Sequence, residues 1–553
     1  MNNFLKILRK YKKDIFILVC ISFGILFAYK DLPYVYFMHD EWRAQGLVLL
    51  EGWSAWINRF SFFELALGLK TSRLLGSMLN NIFYYCFPFQ SYPFIIFTIL
   101  THGINSLLLY QFIYKLTKNK FVAFLSSLFF ATSSATQQAL SWIGASIQIL
   151  GSTAFSLLSV FEIKRYIDTK KNKFFFIAVL FGYTGFLFKE IGAIALIYAI
   201  GSLLYVYHRG PLMKILTIWK KLWYIPVFSF SVLFVIPLFI KNAYTHMIFN
   251  SLYYPFVSLS QMVIPFRFME RLGSNFLSMN YPIIAGYNDA PTIANFITTD
   301  IVSIFFTFVM LIVLFFVYVK TKRKIIFLLA ISWYFISFLP IAVSLIHKNS
   351  SYIDSRHLYI PYVGMSVILS IVTETIWLSI RARRKLTSKL LGIFVLTLIF
   401  IKQCSVTRRE VYATAISGIQ MKTFIDAFRK EQKRSVQPVK PVYYFVSDRN
   451  YYYVNNKLPF LLGSGYVISV IEYPNGSVPD EIIKKEMFLD FGSQGYFEKN
   501  GQGFGYYWDF DTLCSDIQTR TISLNQIIAY KYDSKTGILV NITDSIKKIL
   551  NRY

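Results

Sequence analysis

Two adjacent carboxylates, Asp40 and Glu41, stand in the run Phe37-Met38-His39-Asp40-Glu41-Trp42, shortly after the first apolar stretch of the chain. A carboxylate at a membrane surface, within hydrogen-bond reach of a hydroxyl, can take its proton. Asp40 is the first choice for such a base and Glu41 the second. Two further groups of reactive side chains end or begin apolar stretches: Lys189-Glu190, and Arg356-His357 just after Asp354. Fixed cations aimed at developing negative charge are often the largest catalytic term. The fork of Arg356 fits phosphate oxygens, which makes it the first candidate for a phosphate contact, with Lys189 next. His357 sits beside Arg356, and Glu190 could orient Lys189.

Each candidate also has an ordinary structural reading. Asp40 and Glu41 could be solvated acids at the end of a helix. Lys189 could snorkel at the interface with Glu190 as its ion-pair partner. Arg356 and His357 could be polar caps where a span begins. His102, inside an apolar stretch, reads better as a packed, hydrogen-bonded histidine than as a catalytic one. Asp509-Phe510-Asp511 has the look of a metal-binding acid pair, but it stands far along the chain from the other candidates.

The elements that must position these residues follow from the composition. The chain has 553 residues, is 55% hydrophobic and 19% aromatic, and only 16% of it is charged, so much apolar surface must face something other than water. The net charge of +28 does not argue for nucleic acid. The cations cluster in short runs between apolar stretches, such as Lys320-Thr321-Lys322-Arg323-Lys324 and Arg381-Ala382-Arg383-Arg384-Lys385, as cytoplasmic loops do. The four cysteines, Cys20, Cys86, Cys404 and Cys514, are widely spaced and suggest neither a zinc site nor a disulfide framework.

Taken in order, the chain predicts a membrane all-α bundle of about eleven spans with a cytoplasmic N-terminus. The spans include Ile15–Tyr29, Pro93–Tyr114, Phe121–Thr132, Ser141–Ile163, Phe174–Phe188, Gly192–Tyr207, Leu358–Ile380 and Leu390–Ile401. Residues 30–92 and 241–300 are expected as long external loops, the first with short helices lying in the interface. Residues 1–405 would form the transmembrane domain. Residues 406–553 would form an external domain, with an amphipathic linking helix over 407–435 and then an α/β or β-rich unit. Its expected strands are Val442–Val446, Tyr466–Ile471 and Thr521–Tyr530. The acids avoid mid-membrane depth, with Glu374 the main exception.

At this point the layout resembles the GT-C superfamily of integral-membrane glycosyltransferases. Asp40-Glu41 matches the paired acids of that superfamily's first external loop. The segment Ala139-Leu140-Ser141-Trp142-Ile143-Gly144-Ala145 resembles a middle motif of the relatives. Phe188-Lys189-Glu190 and Ser355-Arg356-His357-Leu358-Tyr359-Ile360-Pro361 resemble motifs of the transmembrane-and-tetratricopeptide O-mannosyltransferases. The chain departs from them in lacking tetratricopeptide repeats and in having Ser355 in place of a glutamate. The resemblance covers roughly the first 400 residues.

The resemblance implies a glycosyltransferase that moves a sugar from a polyprenyl-phosphate donor to a hydroxyl on the external face. Asp40 would serve as base, and the displacement would be direct and inverting. Arg356, His357, Lys189 and Glu190 would bind the donor's phosphate and sugar. The acceptor would be a protein, a glycan or a lipid, and the surroundings would be membrane lipid, in the plasma membrane of a prokaryote. No cofactor is expected and no metal ligand is assigned, with a divalent metal left open. Two other classes compete with this reading. A transporter or flippase of a lipid-linked substrate would usually carry ionisable groups at the midplane and internal repeats. A plain membrane anchor for the C-terminal domain would need only one span.

Overall fold

Hydrogen bonding inside an apolar bundle determines how the helices of this chain meet. In the computed structural model the described residues are 2–37, 40–54, 73–207, 311–338, 355–382, 386–433, 440–447, 464–473, 494–519, 521–533 and 535–552. The second long loop, expected over 241–300, lies outside them. Helices run over Asn2–Ala28 (α1), Asp40–Glu51 (α2), Leu74–Cys86 (α3), Tyr92–Thr117 (α4), Lys120–Ala131 (α5), Ile143–Thr169 (α6), Asn172–Phe188 (α7) and Ile194–Tyr207 (α8). Further along are Lys324–Ile336 (α9), Tyr359–Ala382 (α10) and Leu386–Gln432 (α11). Their ends carry the expected local chemistry. Asn119 caps α5 by accepting from the N–H groups of Phe121 and Val122. Lys118 and Lys170 end α4 and α6 in the left-handed conformation.

Three described stretches are long and apolar enough to cross a membrane: Tyr92–Thr117, Ile143–Thr169 and Ser355–Ser379. Shorter apolar helices, among them Asp14–Ala28 and Asn172–Phe188, pack beside them. Large apolar side chains such as Phe23, Leu100, Leu180, Phe315 and Ile325 face outward, as side chains in contact with lipid do.

Inside the bundle one cluster of polar groups is paired across four helices. The Tyr359 hydroxyl lies 2.6 Å from His102 Nδ1, and His102 Nε2 lies 3.0 Å from the Ala131 carbonyl. A ring nitrogen facing a carbonyl donates, so Nδ1 accepts from Tyr359. Asn105 donates to the Leu150 carbonyl at 3.0 Å and to the Tyr359 hydroxyl at 3.4 Å. One knot thus ties α4, α5, α6 and α10 together, with His102 in the packed, hydrogen-bonded role its setting suggests. Nearby, Trp333 Nε1 donates to the Ile360 carbonyl at 2.9 Å and joins α9 to α10.

The last span and the amphipathic linking helix, expected as separate elements, are a single 47-residue helix, α11. Lys402, Arg408 and Arg409 mark where the apolar stretch stops, but they are good helix formers and do not end the helix. At about 1.5 Å per residue α11 is ~70 Å long, well beyond one bilayer core. Its far end enters the C-terminal unit, which is α/β. There a five-stranded sheet has the order β2-β3-β1-β4-β5. Its strands are β1 (Val442–Ser447), β2 (Gly495–Lys499), β3 (Gln502–Tyr507), β4 (Ile527–Asp533) and β5 (Ile538–Asn541). The central β1 runs parallel to β3 and β4, and the outer strands pair antiparallel. Helices α12 (Ser464–Glu472), α13 (Phe510–Gln518) and α14 (Thr543–Leu550) complete the unit.

Tyr466–Ile471, expected as a strand, is therefore the body of helix α12. Its β-branched residues suit a strand, but Tyr466, Val467, Ile468, Val470 and Ile471 are all buried, and burial on every side overrides local propensity. The strand expected over Thr521–Tyr530 is confined to Ile527–Asp533, after a short turn at Leu524–Gln526. Asp509 is a helix cap: it accepts from the Thr512 N–H at 2.9 Å at the start of α13.

Glu374 has a structural partner. Arg323 donates to it from Nε at 2.7 Å and from Nη2 at 3.1 Å, and Asn119 donates at 2.7 Å. Arg323 also donates to the Thr117 carbonyl at 3.0 Å. The pair joins the end of α4, the start of α9 and the far part of α10. Glu374→Ala leaves a half-buried guanidinium unpaired and is expected to destabilise by about 3–5 kcal/mol. It should be read as a lower apparent melting temperature in detergent, with most of the loss restored by replacing both residues, E374L with R323M. An unchanged melting temperature in E374A would contradict this role.

Candidate functional site

The candidate residues stand at one end of the helices tied by the His102–Tyr359 knot. Tyr359 begins α10, so the knot fixes the turn Ser355–Leu358 just before it. The Gln138 N–H donates to Ser355 Oγ at 3.2 Å, which anchors that turn to the segment leading into α6. From this turn the Arg356 guanidinium lies over the Trp142 ring, 4.0 Å from its centre, a cation–π contact. Trp142 is the residue immediately before α6 and makes no side-chain cap of its own.

That vacant capping role is taken from elsewhere in the chain. Glu41, on α2, accepts a hydrogen bond from the Gly144 N–H in the first turn of α6. Asn80, on α3, donates to the Gly144 carbonyl at 2.5 Å. A carboxylate at a helix N-terminus is favoured by the helix dipole and satisfies an open N–H. Glu41 is only 2% exposed, so it is not a solvated loop acid. Asp40 is the first residue of α2, and its side chain lies outside the described residues.

Lys189 and Glu190 stand between α7 and the turn Glu190–Ala193 that leads into α8. Lys189 is only 4% exposed, so it does not snorkel into solvent. Glu190 forms a two-pronged pair with Arg73, at 2.9 Å from Nε and 2.6 Å from Nη2. Arg73 is the residue immediately before α3, and α3 lies close against its neighbours here. A Cβ at Gly76 would fall 2.6 Å from the Phe188 carbonyl and 2.7 Å from Gln148 Cγ. His357 is half-buried, and the charges of Lys189, Arg356, Arg73 and Glu190 all reach it. Lys189 and Arg73 both act on Glu190 as well.

Lys189, Glu190, Arg356 and His357, spread over some 170 positions of sequence, therefore share one neighbourhood. Glu41 joins them through α6, whose first turn carries Gly144 and Trp142. Three residues not singled out in the sequence belong to the same place. Arg73 was one of several cations in a long loop, with no spacing to link it to Glu190. Trp142 lies inside the middle motif, and a lone aromatic before an apolar run was its only signal. Asn80 gave none. Among the described residues no group of three His, Cys, Asp or Glu side chains is gathered as a metal site would require.

A cavity of about 580 Å³ opens between α4, α6, α8, α9 and α10, lined almost wholly by apolar side chains. Ile197 and Val363 lie along it. Ile197 comes eight residues after Lys189, and Val363 seven after Arg356, or about two helical turns and ~10 Å. From there the cavity runs along α9 from Ile336 to Ile325, roughly 16 Å of helix. The chain matches no protein-family model and no curated protein.

The capping contact gives a direct test. Glu41→Gln keeps an acceptor for the Gly144 N–H, and Glu41→Ala removes it. Loss of a cap costs about 0.5–2 kcal/mol. The Ala variant is expected to speed amide exchange at the start of α6 several-fold, and the Gln variant to stay near wild type. Equal exchange in all three proteins would remove Glu41 from this role.

Proposed function

We propose that the chain is a membrane glycosyltransferase that takes a sugar from a polyprenyl-phosphate donor and joins it to a hydroxyl acceptor. The observation that carries this reading is the meeting of Arg73, Lys189, Arg356 and His357 at one end of the bundle, with an apolar cavity further along the same helices. An amphiphile with an anionic head and a long aliphatic tail fits both parts: the cations suit the phosphate, and the cavity suits the chain. The bundle of about eleven spans and the external placing of this end belong to the same proposal.

The chemistry is a single displacement. The acceptor oxygen forms a bond to the sugar's anomeric carbon while the bond from that carbon to the donor phosphate breaks. The electron pair of the breaking bond leaves with polyprenyl phosphate, and the acceptor's proton passes to the Asp40 carboxylate. Arg356 and Lys189 meet the charge that grows on the leaving phosphate. Arg356 is steadied by Trp142 beneath it, and Glu190, held by Arg73, limits the excess positive charge around Lys189.

Asp40 and Glu41 do not duplicate one another in this scheme. Adjacent helical positions face different ways. A Glu41 carboxylate engaged by Gly144 leaves the proton transfer to its neighbour. The purified protein with a polyprenyl-phosphate sugar and a hydroxyl acceptor tests the proposal. Asp40→Asn is expected to lower transfer by about 10²–10⁴-fold with expression and fold intact, and Arg356→Ala to lower it by about 10²–10³-fold. Full transfer by D40N would remove Asp40 as the base. Movement of labelled donor across vesicles with no covalent product, in the wild type, would favour a transporter instead.

A further inference from the structure

The C-terminal unit is not an appendage to the bundle: its helix α12 packs on α2, the helix that begins with Asp40 and Glu41. Contact is closest at Gly46, midway along α2, where an added Cβ would run into Tyr466 of α12. Tyr466 is fully buried and belongs to the same apolar core as Trp42 and Val48 of α2.

The segment before α2 is gripped from another side. A Cβ at Gly418 on α11 would lie 2.6 Å from the Tyr36 nitrogen and 2.9 Å from the Tyr34 carbonyl. The Tyr36 hydroxyl donates to the Phe89 carbonyl at 2.9 Å, and Arg429 of α11 lies over the Phe89 ring. The two gripping helices are tied to each other. Gln432, at the end of α11, donates to the Tyr443 hydroxyl at 2.5 Å, and that hydroxyl donates to Glu472, at the end of α12.

Alone, α2 is a weak helix. It has 12 residues, at the lower limit for an isolated helix in water. It also contains Gly46, which costs about 1 kcal/mol against alanine. Gln45 beside it is buried, and its side-chain amide has no hydrogen-bond partner among the described residues. Its position must come from what it packs on.

We propose that the C-terminal unit is a brace that holds α2 in its working position, with Tyr466 as a positioning residue. This rests on the glycosyltransferase reading for its effect on catalysis, and on packing alone for its effect on α2. The brace fixes where Glu41 meets α6 and where Asp40 meets an acceptor. A displacement of about 1 Å can cost ~10²-fold in rate.

The full-length protein tests this with three changes. Tyr466→Ala is expected to lower turnover at saturating donor at least about tenfold, with donor KM within about twofold of wild type. Its α2 amides should exchange about tenfold faster. Tyr466→Phe keeps the ring and should match wild type in both. Gly46→Ala adds a Cβ that collides with Tyr466 and should act like Tyr466→Ala in both readouts, although alanine is the better helix former; this variant also decides the matter if Tyr466→Ala does not fold. Wild-type turnover and wild-type α2 exchange in Y466A, or in G46A where Y466A does not fold, would overturn the brace. Exchange needs no substrate, so the two proposals fail separately. Faster α2 exchange in a protein whose wild type transfers no sugar would sink the glycosyltransferase and leave the brace standing. Unchanged exchange in an active enzyme would do the reverse.

Discussion

Polar atoms buried among apolar helices must find partners within the protein, and in this chain that requirement sets the positions of the helices. An unpaired buried hydroxyl or amide costs of the order of 1–3 kcal/mol, so His102, Asn105 and Tyr359 can be satisfied together only in one register of α4, α5, α6 and α10. Outward-facing phenylalanines and leucines set no such register, because one lipid-facing position serves as well as another. The knot is specific where the apolar packing is tolerant. Its member Tyr359 is three residues from Arg356, so the same hydrogen bonds that lock the bundle also place a cation at its end.

The second level of organisation is the use of one helix terminus by several remote parts of the chain. The start of α6 has no side-chain cap of its own. Glu41 supplies one from α2, Asn80 takes the carbonyl of the same residue, and Arg356 rests on the tryptophan before it. Three segments that are distant in sequence therefore converge on a single turn of backbone. Charges gathered at helix ends avoid the depth at which an ionised group is most costly. Glu374 obeys the same rule at the other end of α10, where it is neutralised by Arg323.

Much of this was legible in the sequence, and the reasons differ by element. Apolar runs of helical length, bounded by cations, located α4, α6, α7 and α10 to within a few residues, because both composition and length are local properties. The meeting of Lys189 with Arg356 and His357 was legible only as topology, from the shared side of the membrane that alternating spans would give them. The Arg73–Glu190 pair was not legible, since nothing local distinguishes Arg73 from the other cations of its loop. The helical state of α12 is hidden from the sequence for the same reason. Its residues favour a strand, and what makes them helical is burial against α2 and the sheet, which no window of sequence contains. The unbroken α11 was hidden by a change of environment without a change of conformation: its lysines and arginines leave the apolar zone but continue the helix.

The two glycines that meet α2 and the segment before it, Gly46 and Gly418, bear on how such an arrangement could come about. Gly46 and Gly418 each leave room for one neighbour, Tyr466 and the Tyr34–Tyr36 backbone respectively. A helix whose only task was to carry two acids would gain stability from alanine at position 46. Keeping glycine there makes sense only if close approach of α12 is worth more than the propensity lost. The aromatic packing of α11 against the sheet, Phe424 and Phe428 against Phe445, Tyr530 and Tyr532, holds the C-terminal unit stiffly enough to make that approach effective. Rigidity in the outer unit is thereby transferred to a short helix that could not supply its own, and the acids at the start of that helix inherit it.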